Sequence, residues 1–147
     1  MLRFLLITVL CALPAMGQTL TVAPTNTLST FALTSNPTTA QTLNVRTAWS
    51  GALSWGLQVC VYMSAPMSGS PGNGTTIPAS SVRVDGVSIV TATTNCGVPT
   101  ATQIWSKFIV LGSGNHTEAI TIDLNSYPAN LEADTYNGTI NLVAVLQ

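Results

Sequence analysis

A single histidine, His116, stands two residues before Glu118 in the phrase GSGNHTEA (112–119). A histidine with a carboxylate partner is the minimum for general-base chemistry, and the chain is rich in serines that such a base could activate. None of those serines lies in a G-x-S-x-G phrase, which would hold a nucleophile on a strained strand-to-helix turn. The five acids, Asp85, Glu118, Asp123, Glu132 and Asp134, offer a second chemistry. Two carboxylates at a fitting separation can hydrolyse a glycosidic bond. Asp123, Asn125, Glu132 and Asp134 are also hard oxygen donors of the kind calcium takes. No D-x-D-x-D-G loop orders them, and solvated acids at strand ends explain the same pattern. The expectation is a non-enzymatic protein with no cofactor and no metal.

Three cysteines are present, Cys11, Cys60 and Cys96. Met1-Leu2-Arg3 followed by the apolar run FLLITVLCAL, Pro14 and the small residues Ala15 and Gly17 has the layout of a secretory signal peptide, cut ahead of Gln18. The run is shorter than the roughly 20 apolar residues that span a bilayer. Residues 1–17 are therefore read as a leader and 18–147 as one domain. No membrane span is expected after cleavage. The leader takes Cys11, which leaves Cys60 and Cys96 as a pair in an oxidising compartment, and a Cys60–Cys96 disulfide is predicted. Two thiols and a distant histidine do not make a tetrahedral metal set.

Trp49, Trp55 and Trp105 raise carbohydrate binding, because a ring lying on a sheet can stack on a sugar. Trp55 falls on an apolar face and reads as core. Trp105 shares a face with Lys107, and Trp49 ends a strand, so these two form the candidate ligand platform.

The elements that position these residues are strands. Short β-rich runs recur between clusters of Gly, Pro, Asn and Ser. They are TLTV (19–22), LSTFALT (28–34), QTLNVRTAW (41–49), LSWGLQVCVYMS (53–64), SVRVDGVSIVTAT (81–93), QIWSKFIVLG (103–112), HTEAITIDL (116–124) and the closing run from Tyr136. In the fourth, Trp55, Leu57, Val59, Val61 and Met63 alternate with Gly56, Gln58, Cys60 and Tyr62. The disulfide is thus expected at a sheet edge or on the outer surface, tying down a loop rather than crossing the core. Asp85-Gly86 reads as a two-residue hairpin turn, GSGN (112–115) as another turn, and 65–80 as a long exposed loop. In QIWSKFIVLG, Ile104, Phe108 and Val110 are expected to face one way and Trp105 and Lys107 the other, with Trp105 the candidate exposed aromatic. The fold class predicted is an all-β, immunoglobulin-like antiparallel sandwich of about seven to nine strands.

Composition bears on function. Charged residues are 6% of the chain, against about 25% in ordinary soluble domains. Arg46, Arg83 and Lys107 form no basic stripe, so nucleic acid is not an expected partner. Asn73, Asn115 and Asn137 each head an N-x-T phrase, which an Asn- and Thr-rich composition produces by chance.

The opening LTVAPTNTLSTFALTSNPTTAQTLNV resembles the first strands of secreted bacterial Ig-like modules of the BACON and Hydin-like kind. Leu20, Val22, Pro24, Leu28, Phe31, Gln41, Thr42, Leu43 and Val45 carry that likeness. The closing LEADTYNGTINLVAVLQ is similar to the last strand of spore-coat-U and chaperone–usher pilin domains, through Tyr136, Gly138 and Thr139, with Ala133-Asp134 where Ala-Gly is usual. These resemblances imply a secreted, periplasmic or cell-surface structural protein, fimbria-like, with itself or other surface subunits as partners. In a pilin-like domain residues 18–27 would be a donor strand, with Leu20 and Val22 filling pockets of a neighbour. The other reading is that the segment is the first strand of its own sandwich. The alternative function is a small binding module for polysaccharide or protein.

Overall fold

The structure, a computed structural model, describes residues 2–8, 19–52, 55–91, 96, 101–109 and 112–146; the side chains of β1 below and those of Ala52 and Trp55 are outside that description. The expected cleavage junction, Cys11 and Val110 also fall outside it. Eleven strands are described: β1 (Leu2–Thr8), β2 (Thr19–Pro24), β3 (Gln41–Ala52), β4 (Trp55–Met63), β5 (Met67–Ser68), β6 (Thr76–Ile77), β7 (Val82–Val84), β8 (Val87–Ser88), β9 (Thr102–Ile109), β10 (Gly112–Leu124) and β11 (Tyr136–Leu146). Four of them hold only two or three residues, which is why fewer strands are legible as alternating runs. No helix among the described residues is long and apolar enough to cross a membrane.

The strands form the expected antiparallel sandwich. One sheet runs β6-β5-β11-β4-β9 and the other β2-β3-β10-β7-β8, with β1 added to the first along β11. Alternation sets the inner faces, because successive side chains in a strand point to opposite sides. Leu57, Val59, Val61 and Met63 of β4 meet Leu43 and Val45 of β3 and Ile120, Ile122 and Leu124 of β10 in one buried core. Asp85 and Gly86 make the β7–β8 hairpin with φ of 49° and 78°, the left-handed pair that a two-residue primed turn requires.

The disulfide lies where the parity of β4 places it. Cys60 and Cys96 have Cα atoms 5.5 Å apart. Both are buried, and they cluster with Tyr62 and Val143 apart from the main core. The bridge fastens Cys96 over the outer side of the first sheet, so β4 and β11 are covered on both faces there.

Four local expectations are corrected. Residues 28–34 form no strand; Phe31 makes a lone bridge and is buried. Side chains do the ladder's work along that stretch: the Ser29 N–H donates to Gln41 Oε1 at 2.7 Å, and the Asn44 N–H donates to Asn26 Oδ1 at 2.6 Å. The GSGN phrase is not a turn but the start of β10, paired with β3 at Gly114↔Trp49. A Cβ on Gly114 would stand 2.6 Å from Trp49 Cζ2, so the glycine makes room for the ring. In β9 the register against β4 shifts between Val59 and Cys60, which pair with Trp105 and Gln103. That bulge inverts the parity, so Phe108 is 67% exposed and Ile109 is buried. The 65–80 loop, finally, is not wholly exposed: Met67 and Ile77 pair across β5 and β6 and are fully buried.

Candidate functional site

Three places gather the residues that chemistry could use. The first is aromatic. The bulge turns Trp105 toward the second sheet, where its ring stacks on His116 with centroids 4.3 Å apart and planes at 9°. Trp49 lies 6.2 Å from Trp105, and Lys107 Nζ stands 5.6 Å from the centre of the Trp49 ring, within cation–π range. His116 Nε2 is 2.7 Å from Glu118 Oε2. The structure thus brings together both residues of the expected ligand platform and adds His116, Glu118 and Lys107. Trp49 is only 8% exposed and Trp105 half-buried, and the rings contact one another rather than offering an open face. The signal missed in the sequence was the bulge.

The second place is polar and joins the 65–80 loop to the start of β11. Asp134 accepts from the Ser70 N–H at 2.5 Å, Ser70 Oγ at 2.7 Å and Asn73 Nδ2 at 2.8 Å, and its Oδ1 accepts from the Thr135 N–H at 2.6 Å. The Ser70 hydroxyl first, then Asn73 and the backbone donors, hold its carboxyl well below the usual carboxylate range. Tyr136, 1% exposed, donates to the Glu132 carbonyl at 3.0 Å, accepts from Asn73 Nδ2 at 3.2 Å and touches the Thr75 hydroxyl. Asn73 Oδ1 accepts from the Thr75 N–H at 2.8 Å, so this amide is used structurally at every atom. An open pocket of 270 Å³ lies alongside, lined by Leu33, Tyr127, Leu131, Glu132, Asp134 and Tyr136 among others. Asp123 is elsewhere engaged, in a two-pronged pair with Arg83 at 2.8 and 2.5 Å. The described residues hold no group of three His, Cys, Asp or Glu that could bind a metal ion.

The third place is the edge of β11. One edge pairs antiparallel with β4, from Ile140↔Met63 to Leu146↔Leu57, and with β5 at Asn137↔Ser68. The other edge takes β1 in parallel, from Leu2↔Tyr136 to Thr8↔Leu142. Residues 137 and 140 are paired on both sides, which places β1 opposite β4 and β5. β1 also lies beside β2, at the seam where the two sheets approach. Ile140, Leu142 and Ala144 are buried in the core, and Asn141 and Val143 are buried on the outer side. Gly138 permits the tight packing at the strand's start: a Cβ there would stand 2.8 Å from Met63 Cε and closer still to Met67. The expected donor residues, Leu20 and Val22, sit in β2 paired with β3, 4% and 1% exposed in the chain's own core.

Comparison with protein-family models and with curated proteins finds no match to this chain.

Proposed function

We propose that this protein is a non-enzymatic, exported structural subunit that joins its neighbours by strand addition at the β11 edge once residues 1–17 have been removed. The observation that carries this reading is the parallel pairing of Leu2–Thr8 along β11. The segment expected to leave on export is the segment that covers that edge. Its loss bares backbone N–H and C=O groups along a strand whose inner residues are already buried, and such an edge is a template for another extended chain. No charged side chain stands in β11 to repel an incoming strand, and the charge-poor composition suits a surface that packs. β2 is committed to β3, so its use as a donor requires it to leave Leu20 and Val22 unburied at home.

Size-exclusion chromatography and negative-stain microscopy of residues 18–147 against the full-length chain test the reading. Oligomers or fibres of the shorter chain beside full-length monomers are expected. Monomers of both, with both folded, would sink it.

A second reading, a polysaccharide- or protein-binding module, draws on the half-exposed Trp105 and His116. Binding on a glycan array that is lost in Trp105→Ala would favour it.

A further inference from the structure

The outer side of β11 holds a polar group with nothing to bond. Asn141 is 6% exposed, and its Nδ2 has no acceptor within hydrogen-bonding distance among the described residues. A buried amide left in that state costs free energy that a partner would recover. Its two neighbours in register are Tyr62 on β4 and Ile7 on β1. Side chains in register on adjacent strands project from the same face within reach of each other, and amide side chains so placed bond along the sheet. Isoleucine has no acceptor to offer.

We infer that Asn141 sets the selectivity of the β11 edge, which takes an extended segment carrying a hydrogen-bond acceptor in register with Asn141 and apolar residues on either side of it. This rests on the strand-addition reading above. The flanking requirement follows from Ile140 and Leu142, both fully buried, whose register neighbours share the core side of the sheet. The occupant is therefore a peptide strand with an apolar–acceptor–apolar triplet, the acceptor being Asn, Asp, Gln or Thr. Leu20-Thr21-Val22 is a triplet of this type within the chain itself, although here Thr21 pairs with Ala48 on β3. In register the leader sets Leu6 beside Ile140, Ile7 beside Asn141 and Thr8 beside Leu142, so it offers no acceptor at the deciding position and is apolar at only one of the two flanks. Its removal leaves the edge to a better-matched strand.

The test uses the full-length chain, folded under oxidising conditions, with β1 as the probe strand. Ile7→Asn and Ile7→Ala are compared by hydrogen exchange of the β11 amides in 136–142 that do not bond to β4. Asn at position 7 should raise their protection roughly fivefold over Ala, the effect of one hydrogen bond. In an Asn141→Leu background the two should agree within about twofold. Should Asn141→Leu fail to fold, the comparison of the two position-7 variants still decides. Equal or lower protection with Asn than with Ala overturns the role of Asn141 and leaves the edge reading standing. Unprotected edge amides in the unsubstituted chain overturn both, because β1 then does not cover β11.

Discussion

Trp105 and His116 stack nearly parallel at 4.3 Å although they belong to opposite sheets, β9 of one and β10 of the other. The contact closes the end of the sandwich where the inner face of β10 passes from the fully buried Ile120 to the half-buried Glu118. It makes Trp105 part of the packing, and that has a measurable consequence. Trp105→Ala should lower stability by about 2–3 kcal/mol, somewhat under the range for a fully buried tryptophan. His116→Ala should cost about 0.5–1.5 kcal/mol, the scale of an aromatic pair. Urea unfolding followed by circular dichroism reads both. A Trp105→Ala chain as stable as the parent would return the ring to the role of a ligand platform.

The disulfide should contribute about 3–4 kcal/mol in the chain-entropy model, given its separation of 36 residues. Replacing Cys60 and Cys96 by Ala, or adding reductant, should shift the urea midpoint accordingly. Reduction should also release the cover over Tyr62 and Val143, seen as faster amide exchange near 143.

Gly138 and Met67 should prove coupled. Gly138→Ala forces a Cβ against the Met67 side chain and should cost about 1–3 kcal/mol through overpacking. In a Met67→Ala background the same change should cost less, since the nearest obstructing atoms are gone and only Met63 Cε, at 2.8 Å, still stands in the way. Additive losses in the double-mutant cycle would show that the glycine serves the backbone instead.

Tyr136→Phe removes the hydroxyl that donates to the Glu132 carbonyl and meets Asn73 and Thr75. The cost should be about 1–2 kcal/mol, because buried partners lose their bond while the ring stays. Thermal unfolding measures it.

Asp134 should shape the acid limb of stability. Its folded-state pKa lies below the unfolded value of 3.8, so the ionised form is the one the fold favours. Its contribution is complete well above pH 4 and is lost as pH falls below about 4. Asp134→Asn should flatten the stability profile over that window and lower stability at neutral pH, where the amide offers donors to groups that are already donors. Unfolding midpoints between pH 2 and 7 check both effects.

The amino-acid order alone carried what depends on near neighbours. Period-two apolar spacing in 57–63 and 120–124 set which faces are buried. The parity of β4 put Cys60 on the outer side, and Asp85-Gly86 specified its turn through backbone sterics that no distant residue alters. The tertiary structure decided what depends on contacts between distant segments. The bulge that swings Trp105 inward arises from how β9 meets β4, some 45 residues away in the chain. Gly114 reads as a turn residue until Trp49 lies across it. The bonds of Asp134 come from Ser70 and Asn73, more than 60 residues upstream. The pairing of Leu2–Thr8 along β11 spans nearly the whole chain. Alternation tells a strand which way its side chains face; it does not tell it which strand will lie alongside, because that is chosen by the edges left open when the sheets close.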